Sequence, residues 1–269
     1  MTRRAALALA AALLVAACSP SSAGQRSAGG PGDPASRVRV AAAADLRYAM
    51  DELIARWTST EPGIAVEPAY GSSGTFVAQI SAGAPFDVFF SADAEYPREL
   101  ERAGLAEPGS TRLYAIGRIV LWVAAASAID VESGLAALAD DAVDTVAIAN
   151  PEHAPYGRAA VAALRSAGVY NAVAPKLVLG ENVSQAAQFV ESGNADAGLI
   201  ALSLAAAPGL RDAGRYAVVP IDSYPSLEQG AVVLGSGARA DAARTFLDFV
   251  LGPDGRTVLD RYGFLPPPP

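Results

Sequence analysis

Residues 70–80 read YGSSGTFVAQI, and the fold turns on what the middle of that stretch is for. Just upstream, IAVEPAY (64–70) alternates as a strand. Just downstream, Phe76, Val77 and Ile80 recur at helical spacing, which predicts a helix over 76–82. A helix start needs one capping side chain, yet Ser72, Ser73 and Thr75 crowd between Gly71 and Gly74. The junction is a strand entering a helix through a turn with hydrogen-bond donors to spare.

The same order repeats along the chain. RVRVAAAA (37–44) predicts a strand, followed by an amphipathic helix carrying Leu46, Ala49, Met50, Leu53, Ile54 and Trp57, with Asp45 as its N-cap. Further strands are predicted at 86–91, 118–125, 145–149, 176–179, 197–202, 216–221 and 231–234. Helices are predicted near 95–103, 135–138, 158–167, 183–191, 240–251 and 254–262. Strands alternating with helices predict an α/β architecture with largely parallel sheets. The signatures Gly-x-Gly-x-x-Gly after a strand, the Walker lysine and Gly-x-Ser-x-Gly are all missing, which argues against nucleotide and serine-hydrolase chemistry.

The N-terminus has its own logic. MTRR precedes AALALAAALLVAA, an apolar run too short to span a bilayer and persist. It ends in Val15-Ala16-Ala17-Cys18, which resembles the bacterial lipobox and holds the only cysteine. Residues 1–17 are therefore expected to be a lipoprotein signal peptide and Cys18 the lipidated residue, the alternative being an ordinary secretory signal with a chance cysteine. Residues 18–36, rich in Ser, Gly, Pro and Ala, predict a flexible tether. The expectation is an extracytoplasmic protein held to a membrane by its lipid anchor, in a periplasm or on the outer face of the cytoplasmic membrane. The formal charge is −8, and losing Arg3 and Arg4 with the leader takes it to −10. So acidic a chain is a poor partner for nucleic acid. A single histidine, His153, and no cysteine beyond Cys18 argue against a zinc site or a Cys/His nucleophile.

Four predicted strand-to-helix junctions carry small or polar residues: Ala44-Asp45, Gly71 to Thr75, Asn150 to Gly157, and Gly180 to Ser184. In α/β sheets the carboxyl ends of parallel strands open on a shared crevice. The helices that follow offer unpaired N–H groups and the positive end of a dipole. Any one junction can be simple capping; several together point to a small anion.

These residues also carry a resemblance. AAAADLRYAMDELIARW (41–57), YGSSGTFVAQISAGAPFDVFFSAD (70–93), ANPEHAPYGRAAVAAL (149–164), PKLVLGENVSQAAQFVESGNADAGLI (175–200) and LGPDGRTVLDRYGF (251–264) resemble the periplasmic molybdate-binding proteins, in that family's order. The resemblance implies a two-lobed periplasmic-binding-protein fold, with two parallel or mixed sheets, flanking helices and a hinge. Lobe 1 would comprise 37–116 and 226–269, and lobe 2 would comprise 117–225, with crossings near 117 and 222–224. It implies a monomer without a cofactor or catalytic residues, binding molybdate or tungstate and delivering it to the transmembrane subunit of an ABC permease.

Carried over by position, the resemblance puts Asp45 where the family has a serine or asparagine, beside Ala44. A carboxylate about 4 Å from the anion would cost on the order of 4 kcal/mol per unit of ligand charge at an effective dielectric near 20. The expectation is therefore that the Asp45 backbone N–H faces the ligand while the carboxylate turns away to cap its helix, a protonated Asp45 being the alternative. Ser73 falls on the family's ligand serine, with Ser72 shaping the turn. Tyr156 is expected to contribute its N–H or its hydroxyl, and Val183 its N–H. Ala201 stands where some members have a tyrosine. The rival readings are a receptor for sulfate or phosphate, an exported enzyme using paired carboxylates, and an adhesive lipoprotein.

Overall fold

The computed structural model describes residues 37–235 and 237–268. The expected signal peptide, Cys18 and the tether lie outside the described residues. In chain order the elements begin with β1 (Arg37–Ala43), α1 (Arg47–Thr60), β2 (Ala65–Gly71), α2 (Ser73–Ser81), β3 (Val88–Ser91), α3 (Glu95–Arg102) and β4 (Arg112–Gly117). They continue with β5 (Ile119–Ala124), β6 (Val146–Ala149), α4 (Pro155–Ser166), α5 (Tyr170–Val173), β7 (Leu177–Gly180), α6 (Val183–Glu191), β8 (Ala197–Ala201), α7 (Leu202–Ala205), α8 (Pro208–Ala213) and β9 (Gly214–Val218). The last are β10 (Leu227–Val233), α9 (Ala238–Leu251) and α10 (Pro253–Arg261).

These strands form two five-stranded sheets, ordered β2-β1-β3-β10-β4 and β7-β6-β8-β5-β9. Each has the same plan. Three strands run parallel (β2, β1, β3 in one and β7, β6, β8 in the other), while β10 and β5 run antiparallel to their neighbours. The chain leaves the first sheet at Gly117 and enters the second at Ile119, then returns between Val218 and Leu227. Both sheets are therefore mixed. The architecture is α/β with helices flanking each sheet.

The apolar residues explain why the sheets are covered. VFFS of β3 and VAIA of β6 are buried along their whole length, as strands sandwiched between helices must be. In the first sheet, Trp57 of α1 meets Phe246 of α9 edge to face, with ring centroids 5.4 Å apart. Phe76, Phe89 and Leu100 fill the opposite side. In the second sheet, Trp122, Leu138, Ile148 and Leu164 lie in one continuous core.

Several expectations are corrected. Asp45 is not an N-cap: it sits in a 3-10 turn over Ala44–Leu46, and neither that turn nor α1 has a side-chain cap. Its carboxyl is drawn instead to donors on other elements. Helices α2 and α4 begin three residues before the predicted starts, since apolar periodicity marks only the buried face and misses a polar first turn. Strand β4 was not anticipated; RLYAIG is an edge strand of mixed burial, paired with β10 and, at Ile116, bridged to Leu265. Strand β10 starts four residues early, and α7 and α8 are short helices with too few residues to show a period.

The start of α4 depends on a close approach. A Cβ on Gly157 would run into the Ala149 carbonyl oxygen at the end of β6. Gly157→Ala is expected to cost about 2 kcal/mol through overpacking, read as a lower urea midpoint, and to displace Tyr156 beside it.

Candidate functional site

The carboxyl ends of β1, β2, β3, β6 and β7 all meet in one place. A small pocket there is lined by both halves of the fold. Ala44, Asp45, Ser72, Ser73 and Ala92 come from the first sheet's loops, and Ala154, Tyr156, Asn182 and Val183 from the second's. No lysine, arginine or histidine lines it. Among the described residues no group of three or more His, Cys, Asp or Glu side chains is placed to hold a metal ion.

An accounting of backbone donors shows what the pocket offers. A helix cannot pair its own first N–H groups. In α2, Gly74 N–H donates to the His153 carbonyl at 2.9 Å, and Thr75 N–H reaches the Ser72 hydroxyl at 3.5 Å. That leaves the N–H of Ser73. In α4, Pro155 has no N–H to give, and Gly157 and Arg158 both donate to the Ala154 carbonyl. That leaves Tyr156. In α6, Asn182 caps Gln185 N–H at 3.1 Å, and Ala186 N–H donates to the Asn182 carbonyl. Val183 N–H has no partner among the described residues. One unpaired N–H from each of three helices thus belongs to a residue lining the pocket.

Side chains complete the arrangement. Ser73 is buried, and its Oγ accepts from Ala92 N–H at 3.0 Å, which leaves its own hydrogen to donate. The carbonyls of Ala44 and Asp45 are tied back by hydroxyls from the other half, Ser184 at 2.9 Å and Ser203 at 2.7 Å. Two acceptors that would repel an anion are thereby occupied.

Asp45 lies buried in the pocket wall. Its Oδ2 accepts from the Tyr156 hydroxyl at 3.0 Å and from Gln229 Nε2 at 2.5 Å. Its Oδ1 is buried with no partner among the described residues. Burial pushes the Asp45 carboxyl up to about 6, against the partial opposition of Gln229, Tyr156 and the N–H groups of Asp45 and Leu46. The same desolvation, reinforced by the Asp45 charge, pushes the Tyr156 and Tyr114 hydroxyls well above their ordinary value. Gln229 Oε1 accepts from the Tyr114 hydroxyl at 2.6 Å, with Nε2 turned toward Asp45. A β-bulge between Gln229 and Gly230 sets the position of this side chain. A Cβ on Gly117 would fall 2.6 Å from Gln229 Nε2, so the crossing between sheets is glycine where this network passes.

The residues singled out by sequence are thus found together, with roles divided in a way the sequence did not show. Ser73, Tyr156 and Val183 offer N–H groups; Ala44 and Asp45 line the wall. The Tyr156 hydroxyl, a candidate ligand donor, is spent on Asp45. Ser72 lines the pocket, but its Oγ is 2.8 Å from both the carbonyl and Nδ1 of His153. Thr75 also reaches across, donating to Glu181 at 3.0 Å, and Arg158 pairs with Asp93 at 2.6 Å. The surplus hydroxyls of residues 72–75 are therefore shared between the pocket and contacts that bridge the two halves. Gln229, Ser184 and Ser203 were missed. The one sequence signal for Gln229 was a polar residue inside the apolar strand LEQGAVV.

Residues 38–265 match the family model of bacterial extracellular solute-binding proteins. The molybdate-binding protein ModA of Rhodobacter capsulatus is 39% identical over 231 residues, covering 86% of this chain and 89% of that protein. ModA of Azotobacter vinelandii is 38% identical over 230 residues, covering 86% and 90%. The solved structure of the Azotobacter vinelandii periplasmic molybdate-binding protein superimposes with a TM-score of 0.80 at 33% identity, covering 86% of this chain and all of that one.

The raised Asp45 carboxyl has a consequence for the ligand-free protein. With a folded value of about 6 against an ordinary 3.8, its contribution to stability is full below about pH 4 and is lost as pH rises through 6. The loss amounts to roughly 3 kcal/mol. Asp45→Asn is expected to remove that component, so that the difference in unfolding free energy between the two proteins changes across this window and is flat above it.

Proposed function

This chain belongs to the bacterial extracellular solute-binding proteins, and we propose that its ligand is molybdate, with tungstate as an equivalent, captured outside the cytoplasm for delivery to an ABC importer. The observation that carries the reading is the set of converging, uncharged donors: the N–H groups of Ser73, Tyr156 and Val183 and the Ser73 hydroxyl, in a pocket without a cationic side chain. Hydrogen bonds to a charged acceptor contribute roughly 1.5–3 kcal/mol each. Four or five in a dehydrated cleft support tight binding after the cost of desolvation and ordering. The high identity to proteins named for molybdate binding supports the choice of this oxyanion.

Because the donors come from both sheets, the anion stabilises the closed arrangement over any in which the sheets separate. In the proposed site Asp45, Ser73, Tyr156 and Val183 surround the anion, and Ala44 and Ser72 shape its walls. Lipidation of Cys18 would keep the receptor at the membrane, where its permease partner resides.

Thermal unfolding with molybdate, tungstate, sulfate and phosphate in turn tests the assignment. At a hundred times its dissociation constant, a ligand adds ~2.7 kcal/mol to the folded state. Molybdate and tungstate are expected to raise the melting temperature at low concentrations where sulfate and phosphate do not. An equal response to sulfate would redirect the reading to a general oxyanion receptor. Ser73→Ala is expected to weaken molybdate at least tenfold, about 1.4 kcal/mol, measured by calorimetric titration; unchanged affinity would remove Ser73 from the site.

A further inference from the structure

We propose that Asp45 enters the oxyanion complex as a neutral carboxylic acid whose Oδ1–H is donated to the anion, so that each dianion is bound together with one proton. The inference rests on the oxyanion reading above and names what the carboxyl in its wall does.

The hydrogen-bond pattern around the group carries the argument. A carboxylate accepts at both oxygens; a carboxylic acid accepts at one and donates from the other. Both side-chain donors that reach Asp45, the Tyr156 hydroxyl and Gln229 Nε2, converge on Oδ2. Oδ1 is equally buried and receives nothing from the described residues. Gln229 is held by Tyr114 through its Oε1, and the bulge after it fixes its place on β10. Oδ2 is thus solvated as a carbonyl oxygen would be, while Oδ1 is left in the position of a hydroxyl. The N–H groups of Ser73, Tyr156 and Val183 and the Ser73 hydroxyl are donors, and a protonated Oδ1 adds one more.

The groups facing Asp45 supply no compensating charge. Tyr156 from α4 and Tyr114 from β4 have hydroxyls raised well above their ordinary value, so both stay neutral. Tyr224, which acts on Tyr156, is raised as well, and its oxygen accepts from Ile119 N–H at 3.2 Å. Arg118 acts on Tyr224, while its Nε donates to the Gly263 carbonyl. Gln229 from β10 and Ser203 from α7 are uncharged, the latter bonded to the Asp45 carbonyl. Burial already holds the carboxyl at about 6 in this structure. An adjacent dianion raises it further, because a like charge disfavours ionisation. The proton comes from solution and is returned when the anion leaves.

Calorimetric titration of the mature chain with molybdate, at about pH 7.5 in buffers of different ionisation enthalpy, counts the protons. Wild type is expected to take up close to one proton per anion, with affinity falling about tenfold per pH unit above about pH 6. Asp45→Asn presents an amide N–H that does not titrate; it is expected to bind without linked protons and with affinity independent of pH. His153, beside Ser72 and 3.5 Å from Glu181, serves as the control position. His153→Gln is therefore expected to keep the uptake, and it decides the source if Asp45→Asn does not fold. Molybdate binding by wild type without proton uptake overturns the proposal and leaves the molybdate reading intact. Uptake that persists in Asp45→Asn, or disappears in His153→Gln, also overturns it. Stronger binding of hydrogen phosphate than of molybdate at about pH 7.5 would make Asp45 an ionised acceptor and overturn it. A wild-type protein that binds no molybdate at any pH overturns both readings.

Discussion

Three backbone N–H groups, on Ser73, Tyr156 and Val183, cannot be paired within their own helices, and much of the surrounding structure is arranged around that deficit. An unpaired buried donor is costly, so a fold that gathers three of them at one point is stable there only when something accepts from them. The parallel strands explain how they gather. Each of β2, β6 and β7 ends at the same crevice, and each is followed by a helix whose positive end points back toward it. The two acceptors nearest by sequence, the Ala44 and Asp45 carbonyls, are withdrawn by Ser184 and Ser203. What remains free to meet a ligand on these helix starts are the N–H groups of Ser73, Tyr156 and Val183 and the Ser73 hydroxyl.

The same junctions that present donors also join the halves. Gly74 N–H and the Ser72 hydroxyl both meet His153, and Thr75 meets Glu181. A Cβ on Gly74 would come within 2.6 Å of the His153 carbonyl, so the glycine beside Ser73 is needed for the two backbones to touch. Further out, Arg158 bonds Asp93 and Tyr96. That ion pair is about a third exposed and contributes little by itself. Beside these polar contacts, Ala43, Ala44 and Ala92 of the first half pack into the apolar core of the second.

How far this was legible in the sequence depends on distance along the chain. The alternation of strands and helices follows from local periodicity, and the polar junctions at 71–75 and 180–184 stand out as residue types in the wrong number for capping alone. Strand β4 was invisible because an edge strand needs no continuous apolar run, and RLYAIG reads as neither helix nor buried strand. The function of Asp45 was read wrongly for a related reason. An aspartate before an amphipathic helix is a good N-cap by every local rule. What overrides the rule is a pair of donors 111 and 184 residues away, Tyr156 and Gln229. Ser73 could be assigned by resemblance, but the division of labour between Ser73 and Ser72 depends on His153 lying across the cleft, which no spacing reveals.

The absence of a cation among the pocket-lining residues makes Asp45 the decisive group. Ionised, it would face a dianion at a cost on the order of 4 kcal/mol per unit of charge for a separation near 4 Å and an effective dielectric near 20. Keeping it protonated at neutral to slightly alkaline pH costs less. From a value of about 6, holding the proton at pH 7.5 requires roughly 2 kcal/mol. The protonated form also gains a hydrogen bond to a charged acceptor, worth roughly 1.5–3 kcal/mol. Taking up a proton is therefore the cheaper way to bind a bare dianion here. A fixed asparagine would donate equally well without that cost, so what the aspartate adds is sensitivity: affinity that weakens as the surroundings become alkaline, from a residue whose burial and fixed donors on Oδ2 are already in place before the anion arrives.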